Sequence, residues 1–464
     1  MKTNSSRRRR AATSPPAGEA SCCKDRISPL PDDVLISIIS RLTVQEATIT
    51  RLLSKRWRHL CDYITRLDFD IPKPKKGTRQ LKEFDQKKFD WINRVLDTHR
   101  GGHSLREFKT RILGLKGVHI NRWFEFALKR GVEILDINLE LYPNKTHGGH
   151  LFPIEALIKK YGLRSLRGLR TLKVLSLIHV DLDDRAVELL LSNCNVLERL
   201  SLSFSSKLRK VSVVGCPSLK HLEICDQDTK SIKDQVAKTI EIRDLNLVSF
   251  RYRGRREINL IVGHVPKLIE IDVEYSISNA YLKILRKLSR CIHQIEHLTL
   301  VIDPLRPELL LNWVEQSRMP NALPELINLK HLVLEVFIID EPYIVGLTPL
   351  IKASPLLQKL EVKFLRSSPA ITQRESGFHT EILEQPHYNL KTVTFSGYLG
   401  SRDEIKFTKY ILVNAVKLEQ FVVEPYHATS CGKGSNVRQQ ATAHARKQFR
   451  EKVKVPKSVN FVLI

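Results

Sequence analysis

Leu197-Glu198-Arg199-Leu200-Ser201-Leu202 and Leu329-Lys330-His331-Leu332-Val333-Leu334 share one pattern: an apolar residue, then, three positions on, apolar residues that alternate with other types. Alternation with a period of two is the signature of a strand with one buried face. The pattern recurs at Leu172/Leu175/Leu177, Leu219/Leu222/Ile224, Leu268/Ile271/Val273, Ile295/Leu298/Leu300 and Leu357/Leu360/Val362. Weaker copies occur at Val132/Leu135/Ile137, Leu247/Phe250/Tyr252 and Leu105/Phe108. From 172 to 357 the first apolar positions are spaced by 25, 22, 28, 21, 27, 34 and 28 residues. Each unit contributes one short strand whose apolar residues the next unit must cover, so stacking predicts a parallel sheet along a curved solenoid.

These spacings fall mostly in the range of leucine-rich repeats. Between strands, segments such as Asp183 to Leu191 carry helix-forming residues able to close the outer face. The Asn usual after the strand is missing: Val180 holds that place in the unit beginning at Leu172, and Gln227 in the one beginning at Leu219. Without a regular Asn ladder the turns must satisfy their backbone amides one by one. Leu200, Leu222, Leu332 and Leu360 are expected in the core, and Lys220 and Lys330 outside it.

Upstream lies a helical module. Leu30, Val34, Leu35, Ile38, Ile39 and Leu42 fall on one face of a helix. Pro31 suits its first turn, and Asp32 and Asp33 oppose the positive end of its dipole. Thr43 and Glu46 form a capping box for a second helix, and Ser54 caps a third with Trp57 and Leu60 on its apolar edge. Three short helices bury little core, so such a module relies on a partner surface to cover apolar residues.

The Leu30-Pro31-Asp32-Asp33 start and the run Leu53-Ser54-Lys55-Arg56-Trp57-Arg58-His59-Leu60 closely resemble the F-box motif in its plant form, over roughly Ile27 to Leu60. Cys61 stands where plant relatives usually carry Trp, and Thr48 where an aliphatic residue is common. The resemblance implies docking of the Skp adaptor of a cullin-RING ubiquitin ligase, with Leu30, Pro31, Val34, Leu35, Ile38, Trp57 and Leu60 as the expected adaptor-binding residues. The repeats resemble the irregular ones of plant F-box proteins.

Downstream, Leu390 to Tyr398 reads as a strand, Ser401 and Glu404 cap a helix carrying Ile405, Thr408, Ile411, Leu412, Ala415 and Val416 on one face, and Leu418 to Val423 returns as a strand. Gly397, Tyr398, Glu404, Phe407, Tyr410, Ile411, Leu412, Asn414, Ala415 and Leu418 resemble the FBD region near the C-terminus of many plant F-box/leucine-rich proteins. A terminal unit with a different face is also what a solenoid needs to cap its core. A polar loop, a basic helical stretch and the apolar strand Val459 to Ile464 follow.

The formal net charge is +26, which invites a nucleic-acid reading. Its distribution argues otherwise: part lies in Arg7 to Arg10 within a Ser/Ala/Pro-rich tail, part in Lys73-Pro74-Lys75-Lys76, and the rest is spread over the repeats apart from Arg251, Arg253, Arg255 and Arg256. No zinc-finger spacing or RNA-recognition aromatic motif accompanies it, so specific nucleic-acid binding is not expected. Eight cysteines, at 22, 23, 61, 194, 216, 225, 291 and 431, are too sparse for a disulfide scaffold and agree with a reducing compartment. No apolar run approaches the length of about 18 residues that a membrane span needs. The expected location is nucleus and/or cytoplasm, with Arg7 to Arg10 as a candidate nuclear-import signal.

Enzymatic patterns fail in turn. Cys431-Gly432-Lys433-Gly434-Ser435 lacks the earlier glycine of a phosphate loop, since His427 stands there. His147-Gly148-Gly149-His150 has no nearby cysteine or acid to complete a metal site. Cys194 and Cys216 each stand three residues before a repeat leucine, a packing position.

The expected architecture is α/β: a three-helix F-box, an irregular leucine-rich-repeat solenoid with parallel strands, and a C-terminal cap. Its divisions are a disordered basic tail (1–25), the F-box (26–62), a helical linker (63–104), the solenoid (105–385), the FBD-like region (386–425) and the cap (426–464). The expected function is non-catalytic, without cofactor: a substrate-recognition subunit that binds the Skp adaptor, and through it cullin, and holds an unknown protein substrate on the repeats. Two alternatives share this architecture: a degradation-independent binding scaffold, and a co-receptor for a small molecule or inositol phosphate, suggested by the arginines near 251–256.

Overall fold

Stacked repeats leave each strand hydrogen-bonded to the next unit, and the computed structural model realises this as one parallel sheet. It describes residues 25–69, 78–100, 105–113, 120–140, 150–205, 207–226, 238–254, 258–275, 280–302, 324–338, 344–366, 386–425 and 435–463. Fourteen strands among these form the sheet: β1 (Arg66–Asp68), β2 (Glu107–Leu113), β3 (Ile134–Glu140), β5 (Val174–Ile178), β7 (Arg199–Ser203), β9 (His221–Asp226), β11 (Ser249–Gly254), β13 (Glu270–Tyr275), β14 (His297–Ile302), β15 (His331–Ile338), β16 (Lys359–Arg366), β17 (Thr392–Tyr398), β18 (Gln420–Pro425) and β19 (Asn460–Leu463). Residues 1–24, the Lys73 to Lys76 run, Arg255, Arg256, the turn 147–149 and the segment 426–434 lie outside the described residues.

Register follows the apolar pattern, because a slip of one residue would turn every buried side chain to water. Leu135, Leu175, Leu200, Leu222, Phe250 and Ile271 face one another across successive strands, and the row continues through Leu332 and Leu360. All are buried, while Lys220 and Lys330 are exposed. Intervening residues such as Asp136, Ser176, Ser201, Glu223, Arg251 and Asp272 form a polar row on the opposite face.

The sheet begins earlier than the repeat pattern announces. The segment expected to be a linker contributes β1, which pairs with β2 and places Leu67 beside Phe108 in the buried row. Three residues are too few to display a period. A helix, Thr78–Thr98, follows, with Phe89 and Ile92 buried.

The outer face also departs from an all-helical layer. Helices such as Asp184–Asn193 and Arg402–Asn414 cover parts of it. A second parallel sheet replaces them in the middle, ordered β12 (Ile258–Val262), β10 (Lys238–Arg243), β8 (Lys210–Val214). Val211 and Val213, Ile240 and Ile242, and Ile258, Leu260 and Val262 are buried at period two, and β-branched residues suit strands rather than helices. The short pair β4 (His150–Leu151) and β6 (Val180–Asp181) lies nearer the N-terminus.

Turns are satisfied differently from a regular Asn ladder. The left-handed residues after β5 and β7 are His179 and Phe204, each at φ 58°, and their rings stack at 4.3 Å. Val180, which holds the place of the repeat Asn, is buried in β6. On the other edge, the side-chain amides of Asn246, Asn328 and Asn389 donate to the carbonyls of Pro217, His293 and Pro355 in preceding units, at 3.3, 2.7 and 2.9 Å.

At the C-terminal end, β17, the helix Arg402–Asn414 and β18 continue the same sheet. β19 adds to β18, and Phe449 of the helix Ser435–Lys452 stacks on Phe461 at 4.9 Å.

Candidate functional site

The N-terminal module is three helices, α1 (Asp32–Ile39), α2 (Val44–Thr50) and α3 (Lys55–Leu60). Thr43 and Glu46 make the reciprocal capping box: the Thr43 hydroxyl accepts from Glu46 N at 3.2 Å, and Glu46 Oε2 accepts from Thr43 N at 3.0 Å. Thr43, donating from its backbone N–H and its hydroxyl, holds the Glu46 carboxyl below its ordinary pKa. Ser54 Oγ accepts from Trp57 N at 3.3 Å. Arg56 then ties α3 back to the start of α1, donating through Nε to Asp32 Oδ1 at 2.9 Å and through Nη2 to Leu30 O at 2.6 Å, and also to Ser28 O. The two ends of the motif are thereby locked together.

Both departures from the motif have local explanations. Cys61 is buried and its thiol donates to Ala47 O at 3.1 Å, with Thr50 Oγ1 at 3.3 Å; burial pushes its pKa up. Thr48 returns its hydroxyl to Val44 O at 2.7 Å, which satisfies it inside the helix.

The seven residues expected to bind an adaptor divide between core and surface. Leu35 (0% exposed), Leu60 (2%) and Trp57 (8%) sit in the chain's own core and hold the helices together. Leu30 is half-buried, and Pro31 faces solvent. Val34 and Ile38 are exposed. An apolar arc this wide exceeds what one neighbouring helix can cover, so Leu35 and Ile39 turn inward while Val34 and Ile38, one position earlier, turn out. Ile27, Ile49, Leu52 (82% exposed) and Leu53 are also exposed and were absent from the expected set. The 49, 52, 53 spacing was the available signal.

The polar face of the sheet carries the second site. Arg251 and Arg253, half of the basic cluster, are held by acids on neighbouring strands: Arg251 Nε lies 2.6 Å from Asp272 Oδ2 and Nη1 3.7 Å from Glu223, and Arg253 lies 3.5 Å from Asp272 and 3.8 Å from Glu274. These neutralised guanidiniums do not form a free anion site, which removes the basis for the inositol-phosphate reading at these two positions. A pocket of about 160 Å³ opens beside them, bounded by Arg199, His221, Glu223, Ser249, Arg251, Glu270 and Asp272. His221 Nδ1 and Ser249 Oγ share a hydrogen bond of 2.7 Å. Burial, then the Arg199 charge, lowers the His221 pKa.

The cysteine candidates lie inside the fold. Cys194 and Cys216 are buried, and burial pushes the Cys194 thiol up to about 12 and raises Cys216 as well. Of the glycine turn, only His150 is described, in β4 opposite Val180. Among the described residues no group of three His, Cys, Asp or Glu could hold a metal, and no helix is long and apolar enough to cross a membrane.

Residues 27–67 match the F-box domain model, and residues 95–461 match the model described as At1g61320/AtMIF1, LRR domain. The chain is 28% identical to the putative F-box/LRR-repeat protein At3g58880 of Arabidopsis thaliana, over 67% of this chain and 71% of that protein. It is 32% identical to the Arabidopsis F-box protein At3g03040 over 49% of this chain and 50% of that protein, and 30% identical to F-box/LRR-repeat protein At3g59210 over 60% and 58%. The latter two matches span 50% and 58% of those relatives. A capped three-helix module joined to a parallel-sheet solenoid, each matched by its own family model, places the chain among known proteins: it belongs to the F-box/leucine-rich-repeat family.

Proposed function

We propose that the chain is the substrate-recognition subunit of a Skp-cullin-F-box ubiquitin ligase, with the F-box holding a Skp adaptor and the repeats holding a protein substrate. The observation that carries this reading is the exposure of Ile27, Val34, Ile38, Ile49, Leu52 and Leu53 on a module whose inward residues are already fully used. Exposed aliphatic surface of this kind marks a protein contact. Family membership supplies the partner class, because an F-box implies a Skp-type adaptor. The chain supplies no reacting group in this mechanism; it raises the effective concentration of substrate beside the recruited ubiquitin-conjugating machinery.

Co-expression with a Skp adaptor tests the reading. Ile38→Asp combined with Leu52→Asp should weaken co-purification by at least ~2 kcal/mol, because truncated or charged anchors at an interface centre carry most of its energy. The far Lys330→Ala variant should retain the adaptor. Full retention by the double variant would remove the adaptor assignment from this surface.

A further inference from the structure

The pocket on the polar face of the sheet has a charge and a size that limit what can enter it. Two rows of side chains bound it. Arg199, His221, Ser249 and Glu270 stand side by side on β7, β9, β11 and β13, and Glu223, Arg251 and Asp272 form the next row on β9, β11 and β13. At about 160 Å³ it is smaller than the roughly 300–1,000 Å³ of sites that enclose a whole small molecule. It has room for one side chain.

Three carboxylates and two guanidiniums line it, and their pairing is uneven. Arg251 lies against both Asp272 and Glu223, and Arg253 also reaches Asp272 Oδ2 at 3.5 Å. Glu270 is exposed and forms no ion pair among the described residues. Asp272 is only 5% exposed, yet its Oδ1 has no hydrogen-bond partner. A buried carboxylate oxygen without a donor is costly, and a charge-assisted donor is what satisfies it best. Arg199, at the opposite rim, stands three strand spacings from Glu270, about 14 Å away, so the acidic end is a local feature and not a general negative field.

We propose that this pocket receives one basic side chain, lysine or arginine, from an extended segment of the protein substrate, and that Glu270 and Asp272 determine that specificity. The inference rests on reading the repeats as the substrate-holding surface. The incoming cation pairs with Glu270 at the rim and donates to the open Asp272 Oδ1, while Arg251 and Arg253 keep Asp272 Oδ2 and Arg251 keeps Glu223. The existing ion pairs are kept and new ones form at Glu270 and Asp272 Oδ1, which favours a cation over an anion or a neutral group.

Selection of a random linear peptide library on the purified full-length chain tests this. The wild type should enrich Lys or Arg at one position by about tenfold over the input, the discrimination expected of one charge-assisted pair. Glu270→Gln, an exposed change that leaves the fold intact, should reduce that enrichment at least about threefold, and Asp272→Asn should abolish it. Enrichment of acidic residues, absence of any charge preference, or basic enrichment unchanged in Glu270→Gln would overturn the proposal. Adaptor co-purification is measured on the same variants. Adaptor binding without basic selection removes this pocket and leaves the ligase reading, and basic selection without adaptor binding does the reverse.

Discussion

Arg366 at the end of β16 forms an ion pair with Glu404 of the helix Arg402–Asn414, and the two side chains are 5% and 0% exposed. Glu404 is at once the third residue of a capping box and the acid of this pair: Oε2 accepts from Leu399 N at 3.1 Å and Ser401 N at 2.9 Å, while Oε1 faces Arg366. Arg366 also donates to Gly397 O at 2.8 Å. Gly397 adopts φ 77°, and a Cβ there would collide with the carbonyl of Phe364. One cluster thus fastens the unit of β17, the helix Arg402–Asn414 and β18 to the repeat before it.

Arg366→Met should therefore cost about 3–5 kcal/mol, because it strands a buried carboxylate. Glu404→Gln in the same chain should recover part of the loss. Urea unfolding of the single and double variants measures both, and equal stability of the two would show that the pair is not coupled.

Truncation to Ala at Leu200, Leu222, Leu332 or Leu360, all buried, should destabilise by about 2–5 kcal/mol through the cavity left behind. Lys220→Ala and Lys330→Ala remove exposed ion pairs with Glu198 and Glu296, 3.1 and 2.9 Å long, and should cost no more than about 1 kcal/mol. Thermal or urea denaturation separates the two groups; similar losses in both would place the strands in the wrong register.

Leu35 and Ile38 are three residues apart on α1 and should behave oppositely. Leu35→Ala should destabilise the module by about 2–5 kcal/mol, whereas Ile38→Ala, at a site 41% exposed, should leave stability within about 1 kcal/mol. Amide hydrogen exchange over α1 reads the difference.

His99 is buried, and its Nε2 lies 2.8 Å from Ile64 O. Burial first, then the Arg130 charge, lowers its pKa below the ordinary 6.5. The folded state thus disfavours the imidazolium, and stability is fully present above the unfolded pKa. As pH falls below about 6.5 the unfolded chain binds a proton that the folded chain resists, and stability drops until the lowered folded pKa is passed. The His99→Gln variant should show a shallower loss of unfolding free energy between about pH 7 and pH 5 than the parent. An identical pH profile would exclude His99 as a contributor.

Alkylation of the native protein should spare Cys194, Cys216 and Cys291. Burial raises all three thiols, Cys194 to about 12 and Cys291 to about 11, and the thiolate is the reactive form. Half-exposed Cys225 should label first among the described cysteines. Mass spectrometry of peptides from partially labelled protein gives the order.

The local sequence determined whatever depends on neighbours in the chain. Caps at Thr43, Ser54 and Ser401 appear in the structure as read, because a cap is a contact across three residues. The repeat strands appear because period-two burial is written into Leu200 and Leu202 or Leu332 and Leu334 themselves. Tertiary structure alone decided which apolar residues of the F-box face outward, since Leu35 and Val34 are equally apolar and only the fit of α1 against α3 separates them. It also decided that Arg251 and Arg253 are neutralised, because Glu223, Asp272 and Glu274 reach them from positions 19 to 28 residues away in the chain. β1 was invisible for the same reason: a three-residue strand has no period, and only the waiting edge of β2 makes it one.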